Sequence, residues 1–555
     1  MPNLAHGHSK KNQYLTLDLS MITRYYIIIY GSDLMKVYKG KIITCDSKNT
    51  VARYLVEDGG KIAFVGDDLP AKYMGENPVL LGDGALIPSF ADTHIHFASF
   101  ATFHSGLNVM NARSNAEILT MLKEHVKKTG EKLVIGFGAS PYSVSDGHLV
   151  TKSQLDEVCP DKPLFMVKYD GHACVVNSAL LEKVKDKVAP LRGYHEDTGE
   201  MNQEAFFAVS DYVTNSLSPV SLVKNMQKAA DYMAGKGIGI IHTVSGVGFA
   251  RDLDVDLERW VGRGFDNGMQ LRVFFQTMDV QKALKRKLPR IGGCFACALD
   301  GCFGSADAAL ISPYEGTEDC GVLYYSDEKV TEFCKKANRA GLQIEMHAIG
   351  DAAFRQATHA LKAALDDYPR KDHRHAIIHA CLPTQEGIDI CREYNILLPV
   401  QSAFINWPQE PDEYLEKILG ERSERLNPLR SFADNNIVLS AGSDAPCTDP
   451  DPIMWIYKAC NHSVPSQSLS VYEALRMCTY NGYYASFDEK ERGSLEEGKI
   501  ADMVILSKDP YSVPKEELKD IEVKQLFLGG EKYKPVSKGA VSHLLKGMTN
   551  SKCKI

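Results

Sequence analysis

The chain has 555 residues, of which 44% are apolar and 24% charged, and its formal net charge is −8. This balance excludes a disordered chain, and the length exceeds what one hydrophobic core usually organises, so two or more domains are expected. The sequence has no block of Lys and Arg, so a nucleic-acid partner is not expected, and no apolar run is long enough to span a membrane.

Both ends of the chain carry β-strand patterns. Residues 1–34 are polar and poorly patterned, and we interpret them as a tail or a mis-assigned start. Short alternating strands then follow in residues 35–87, and a similar set recurs in 481–535 before a C-terminal tail at 536–555. The two sets predict one composite β-sandwich, assembled from both parts of the chain.

The stretch between them, residues 88–480, alternates strand and helix patterns. It holds eight strand candidates, the number that a (β/α)8 TIM barrel of the α/β class requires. About 140 residues separate the first two candidates, which is too long for a single crossover helix. We therefore expect an insertion or lid subdomain at 97–235 that forms part of the substrate pocket.

Five side chains with metal-binding chemistry follow these strand candidates. His94 and His96 share one face of the first strand, because side chains alternate with period two. His347, His379 and Asp444 follow the fifth, sixth and eighth strands. The C-terminal ends of barrel strands meet at one rim, where active sites lie. The sequence thus predicts one or two divalent ions at this rim, with zinc preferred and iron or manganese as alternatives.

A metal ion bound at this rim would activate water, so the sequence predicts a hydrolase. The ion lowers the pKa of bound water, and Asp444 is the candidate that takes the proton and passes it to a leaving amine. Other histidines are placed less favourably. His375 is expected lower in the barrel than His379, and His6 and His8 lie in the suspected tail.

Six stretches resemble the amidohydrolase superfamily, and within it the amidohydrolase family 3 or YtcJ-like branch, which includes N-substituted formamide deformylases. They begin at Pro88 (PSFADTHIH), Asp170 (DGHACVVNS), Leu299 (LDGCFGS), Met346 (MHAIGDAA), Gly442 (GSDAP) and Gly493 (GSLEEGKIADM). The resemblance spans residues 35–535. It implies a barrel with a two-part β-sandwich and hydrolysis of an amide-like C–N bond.

The resemblance also implies two neighbouring metal positions, one at His94, His96 and Asp444 and one at His347 and His379. In such families two ions are commonly bridged by a carboxylated lysine on the fourth strand or by a glutamate.

This chain departs from that pattern on the fourth strand. Many relatives carry the lysine four residues before Asp300, where this chain has Ala296. The number of ions therefore stays open. Glu204 matches a glutamate of the branch and is a candidate bridging or metal-binding residue, with a solvated helix residue as the alternative. Cys297 is a less favoured thiolate ligand than a buried free cysteine.

A second departure lies beside the last histidine. Relatives often carry a glutamate where this chain has Ile378, so another group must orient His379. The resemblance places His172, in the insertion, near the substrate, and we predict a catalytic role for it rather than a turn cap. His242, on the second strand, is interpreted as barrel filling.

Three functions remain open. The preferred one is a metal-dependent amidohydrolase acting on a small-molecule amide. A deaminase often places a glutamate three residues after the fifth-strand histidine, where this chain has Gly350. A non-catalytic regulatory protein on the same barrel is favoured by the missing lysine and glutamate, but the intact five-residue set argues against it.

The 14 cysteines are scattered, and only Cys294 and Cys297 form a CxxC pair, with Cys302 nearby. We interpret them as free thiols in a reducing compartment and predict a cytoplasmic location. Neither nucleic acid nor a membrane is expected as a partner, and a homodimer is one option for assembly.

Overall fold

The computed structural model describes residues 35–551 and 553–555. The expectations for residues 1–34, including His6 and His8, fall outside this part of the chain. None of the described helices is long and apolar enough to cross a membrane.

The described chain opens with the strands β1 (Lys36–Ile43), β2 (Val51–Asp58), β3 (Lys61–Gly66) and β4 (Val79–Pro88). β1 pairs antiparallel with β2 and parallel with β4. One residue after β4, β5 (Phe90–Ile95) begins, and all six of its residues are buried. The terminal sheet thus leads directly into the barrel.

The insertion between the first two barrel strands is a subdomain with its own five-stranded sheet, in the order β10-β9-β8-β7-β6. Its elements are α1 (Phe97–His104), β6 (Leu107–Asn108), α2 (Asn115–Lys128), β7 (Val134–Ala139), α3 (Lys152–Val158), β8 (Leu164–Lys168), β9 (Ala173–Val176), α4 (Ser178–Val188), β10 (Glu200–Asn202) and α5 (Gln203–Ser216). Two hydrophobic clusters lie within it, one on each face of this sheet's central strands.

The barrel region alternates helices and strands. Its elements are α6 (Pro219–Gly235), β11 (Ile238–Ser245), α7 (Leu253–Gly264), β12 (Gln270–Phe275), α8 (Val280–Lys285), β13 (Arg290–Ala298), α9 (Asp327–Arg339), β14 (Gln343–Ala348), α10 (Asp351–Asp367), β15 (Ala376–His379), α11 (Gln385–Tyr394), β16 (Leu398–Val400), α12 (Asp412–Leu419), α13 (Leu429–Asp434), β17 (Leu439–Ala441), α14 (Pro452–Cys460), α15 (Val471–Cys478) and α16 (Tyr480–Ala485).

The helices bury an apolar stripe against the strands. In α9, for example, Val330, Phe333 and Ala337 are buried at spacings of three and four residues, and the Ser326 side chain caps the first turn by accepting from the Lys329 amide. This is the pattern of an amphipathic helix with one face on a core.

Eight parallel strands form the barrel. Six of them make one sheet in the order β15-β14-β13-β12-β11-β5, and β16 and β17 pair with each other. A parallel bridge between Ala376 and Leu397 joins the two sheets. On the other side, the Asp444 amide donates to the carbonyl oxygen of His94 at 2.8 Å. The predicted eight-stranded barrel is therefore confirmed.

The C-terminal strands return to the first sheet. They are β18 (Met503–Leu506), β19 (Val523–Leu528) and β20 (Glu531–Lys532). β18 pairs antiparallel with β4, which gives one seven-stranded sheet in the order β20-β19-β18-β4-β1-β2-β3. The two terminal strand sets meet, as the sequence predicted.

The last segment differs from the predicted tail. Residues 536–555 contain the helix α17 (Ala540–Thr549), which packs against α7. The His543 ring lies 2.8 Å from the carbonyl oxygen of Val261. The buried residues of α17 are Ala540, His543 and Gly547. Two of them are small and one is polar, so the sequence shows no apolar pattern there.

Candidate metal centre

Backbone hydrogen bonds place the histidine pair of β5 beside Asp444, in the loop after β17. The Asp444 amide donates to the His94 carbonyl at 2.8 Å, and the His96 amide donates to that of Ala445 at 3.0 Å. As a result, Asp444 Oδ1 lies 3.2 Å from Nε2 of His94 and 3.3 Å from Nε2 of His96. The first and last barrel strands therefore deliver three of the predicted ligands to one point.

Asp92 holds this junction in place. It is fully buried on β5, and its carboxylate accepts from the Ser443 amide at 2.9 Å and the Ser443 hydroxyl at 2.6 Å. Burial raises the pKa of Asp92 to about 7. Since Ser443 precedes Asp444, the contact fixes the loop that carries the acid.

Cys294 lies among the predicted histidines. Its Sγ is 3.3 Å from His94 Nε2, 3.5 Å from His347 Nδ1 and 3.6 Å from His379 Nε2. Three overlapping groups of ligand atoms lie within 4.8 Å of one another. They are His94–His96–Cys294, Cys294–His347–His379 and His94–His379–Asp444. The thiol thus lies between the two metal positions that the resemblance implied.

The sequence interpretation missed Cys294 because β13 is irregular. Its pairing with β14 shifts register between Gly293 and Ala298, and Phe295 has a positive φ of 45°. Counting back from Asp300 therefore reached Ala296, while the strand presents Cys294 to the centre. Cys297 is buried but belongs to none of the ligand groups found among the described residues. The CxxC pair was the available signal.

His347 is oriented by the loop after β13. Its Nε2 lies 3.2 Å from the Gly301 carbonyl oxygen and 3.5 Å from Asp300 Oδ1. Because a carbonyl only accepts, Nε2 carries the proton and Nδ1 faces Cys294 with its lone pair. Asp300 is held in turn by the amides of Ile349 and Gly350, at 3.0 and 2.8 Å.

The charge state of the centre suits a divalent cation. Burial lowers the pKa of both His94 and His379, which keeps them neutral ligands. Burial alone would raise the pKa of Asp444, but His94 and His96 hold it well below its usual range. Burial raises the pKa of the Cys294 thiol. A cation would reverse that last effect, since a coordinating thiol is deprotonated. The donor set therefore fits a metal ion.

Two of these residues have left-handed backbone conformations. His379 has a φ of 71° and Asp444 a φ of 55°. For residues with a Cβ this region costs roughly 1 kcal/mol or more, and such strain concentrates at functional sites. His379 ends β15 and Asp444 lies in the loop just after β17, so the strain falls where the side chains turn into the rim.

The structure does not bring Glu204 to the centre. It lies in the first turn of α5, 48% exposed, and its carboxylate pairs with Arg192 at 2.9 Å. Among the described residues it belongs to none of the candidate ligand groups. The helix start directs this side chain outward, as in the solvated alternative that the sequence left open.

His172, in the insertion, lies close to the centre. It sits in the β8–β9 turn, half-buried, and its ring centroid is 5.7 Å from that of Phe295. Phe295 in turn packs on His96 at 4.9 Å. One aromatic ring thus separates His172 from a candidate ligand. His242 is buried in the barrel, and burial together with Arg290 and Arg272 lowers its pKa well below the usual value.

The sequence and the fold of this chain are similar to those of known proteins. The sequence model of an amidohydrolase family, Amidohydro_3, matches residues 81–532. The chain is 25% identical to the putative amidohydrolase YtcJ of Bacillus subtilis over 480 residues, which cover 82% of this chain and 89% of that protein. It is 26% identical to N-substituted formamide deformylase of Arthrobacter pascens over 545 residues, covering 90% and 97%.

The fold is also similar to a solved structure. An uncharacterized metal-dependent hydrolase from Pyrococcus horikoshii superposes with a TM-score of 0.70 at 23% identity, and the match covers 87% of this chain and 99% of that one. Because the family's sequence model matches most of its length, the chain belongs to this amidohydrolase family.

Proposed function

We propose that this protein is a metal-dependent hydrolase that cleaves an amide-like C–N bond of a small molecule. The observation that carries the proposal is the convergence of four imidazoles, one carboxylate and one thiol within a few ångströms at the barrel rim. These six side chains come from five different strands or the loops directly after them.

The metal-holding residues fall into two sets. His94, His96 and Asp444 would hold one cation, and His347 and His379 a neighbouring one, with the Cys294 thiolate shared between them. Thiolate and imidazole together suit zinc, while imidazole and carboxylate alone also suit iron or manganese. A bound cation would lower the pKa of a water molecule and polarise a carbonyl oxygen.

Asp444 is the general acid/base in this proposal. Its two histidine contacts keep the carboxylate ionised, so it is ready to accept a proton from the attacking water. The same group then passes that proton to the departing nitrogen, which leaves as a neutral amine. This transfer requires the acid to lie beside both the water molecule and the departing nitrogen.

The insertion limits what can reach the centre. Its β8–β9 turn contacts the barrel through Tyr169, whose hydroxyl donates to Glu410 at 3.1 Å, and Tyr142 donates to the Gly304 carbonyl at 2.7 Å. A rim covered in this way favours a small substrate over a polymer. We infer that His172, in the same turn, contacts the substrate at the mouth.

The deaminase alternative finds little support at the position where it needs a carboxylate. Gly350 packs so tightly that a Cβ would lie 2.0 Å from the Ala309 carbonyl oxygen. The next residue, Asp351, accepts a hydrogen bond from the Ile311 amide at 2.8 Å. This carboxylate therefore serves the loop rather than a substrate ring.

The proposal is tested by metal quantification together with a screen of N-acyl and formamide compounds. Wild-type protein grown with added metal is expected to retain at least one ion per chain and to release amine from one of these compounds. Less than about 0.2 ions per chain would favour a non-catalytic protein. Retained metal with ammonia release from purines or pyrimidines would favour a deaminase instead.

Cys294→Ser tests the thiolate, and Cys297→Ser is its matched control on the same strand. We expect Cys294→Ser to lower zinc affinity by about tenfold or more, since a soft ligand is lost. Cys297→Ser should bind zinc as wild type does. Equal affinities in both variants would remove Cys294 from the ligand set.

A further inference from the structure

His379, the last of the candidate histidine ligands, is preceded on β15 by Ile378, whose side chain is fully buried and apolar and offers the imidazole no hydrogen bond. A ligating histidine needs a partner for its second ring nitrogen, because that partner fixes both the tautomer and the ring orientation. The structure supplies such a partner for His379.

That partner is Gln401, which follows β16 on the neighbouring strand of the barrel. Its Oε1 lies 2.6 Å from Nδ1 of His379, and both side chains are 2% exposed. An amide oxygen only accepts, so Nδ1 must carry the proton. Nε2 is then left with its lone pair, and Nε2 is the atom that lies 3.6 Å from Cys294 Sγ.

The same short turn also holds the face of the ring. Phe404 stacks on His379 with ring centroids 6.0 Å apart and an interplanar angle of 18°. The Phe404 amide donates to the Gln401 carbonyl at 3.0 Å, and the Ser402 hydroxyl donates to the Trp455 carbonyl at 2.9 Å. One segment, residues 401–404, thus restrains the imidazole both in its plane and across its face.

We propose that Gln401, directly after the next strand of the barrel, is the positioning residue for His379. The inference rests on the proposed metal centre. A neutral amide polarises the Nδ1–H bond of the imidazole less than a carboxylate would. Nε2 of His379 is therefore a weaker metal ligand than it would be beside a carboxylate. The partner at position 401 therefore affects metal affinity as well as ring orientation.

The test is a titration of metal-free protein with zinc or cobalt(II), followed by the absorption spectrum of the cobalt form. Gln401→Leu removes the acceptor and is expected to weaken metal binding about 10- to 100-fold and to change the cobalt spectrum. Gln401→Glu replaces the amide by a carboxylate and is expected to bind at least as tightly as wild type.

The matched control is Gln227→Leu. Gln227 is another buried amide, which donates to the Lys538 carbonyl at 3.0 Å and contacts His543. Its loss is expected to reduce stability while metal affinity and spectrum stay at wild-type values. If Gln401 had a purely structural role, Gln401→Leu would likewise lose stability without a change in metal affinity or spectrum.

Gln401→Leu protein that binds cobalt within threefold of wild type, with an unchanged spectrum, would overturn this inference alone. If the leucine variant does not fold, Gln401→Glu decides: weaker binding than wild type would overturn the inference. Wild-type protein that binds neither metal would instead overturn the proposed function on which the inference depends.

Discussion

The barrel carries a buried polar cluster at each end of its strands, and the two are built in opposite ways. At the base, Arg272 donates to both oxygens of Asp488, at 2.9 and 3.0 Å. Arg290 donates to the carbonyl oxygens of Ser486 and Ile555. Lys554 adds a third contact to Asp488 at 2.7 Å. Each charged side chain named here has hydrogen-bond partners inside the chain.

At the rim, by contrast, imidazoles, one thiol and one carboxylate converge. Nδ1 of His347 and Nε2 of His379 face Cys294 with their lone pairs, and Asp444 adds a negative charge. Buried polar groups are stable only when they are paired, so such a set needs a cation from outside the chain. The comparison teaches that self-sufficient clusters stabilise the barrel, while the incomplete one marks its function.

The largest expected effect lies at the rim. Asp444→Asn should lower turnover by about 10²- to 10⁴-fold, because the general acid/base is lost, while the four imidazoles and Cys294 still hold metal. Steady-state kinetics with a compound found in the screen, paired with metal analysis, measures both. Turnover retained within tenfold would remove Asp444 from the mechanism. Asp488→Asn at the base is the control and should leave turnover per folded molecule unchanged.

The next effect lies at the base. Arg272→Leu leaves Asp488 without its bidentate partner, so we expect a loss of about 3 kcal/mol in the free energy of unfolding. Denaturant unfolding measures this change, and zinc affinity of the folded protein should not move. A loss below about 1 kcal/mol would contradict the stabilising role of this cluster, and a loss of zinc binding would show that the two ends are coupled.

The smallest effect concerns Glu258, a buried acid near the rim that is not a candidate ligand. It contacts the hydroxyls of Ser245 and Thr243. Burial raises its pKa, and the neighbouring Asp254 raises it further. The folded state therefore keeps a proton that the unfolded state releases, and stability falls as pH rises above the ordinary value of 4.5.

Glu258→Gln removes this pH dependence. We expect the free energy of unfolding of the variant to match that of wild type at about pH 4.5. At about pH 8 it should exceed that of wild type by about 1 kcal/mol or more, since one pKa unit is worth about 1.4 kcal/mol. Urea unfolding at both pH values measures the difference. A variant that loses stability equally at both pH values would show that folding does not raise the pKa of Glu258.

The sequence identified elements whose evidence is local. A strand pattern followed by His94 and His96, or by His347, places a side chain at a strand end wherever the strand lies. Eight such patterns in order then predict a closed parallel barrel. Glu204 was predicted beside the centre from the family resemblance alone. A sequence match does not show which way a helix residue points, and in the structure Glu204 faces outward and pairs with Arg192.

What the sequence determined by itself is the barrel, its rim histidines and Asp444, because strand periodicity and strand order are properties of the chain alone. Only the tertiary structure decided that Cys294 joins these residues and that Gln401 orients His379. Both depend on contacts between different strands, one across the irregular β13 and one across the gap between β15 and β16. Such contacts depend on register and twist, which no local pattern encodes.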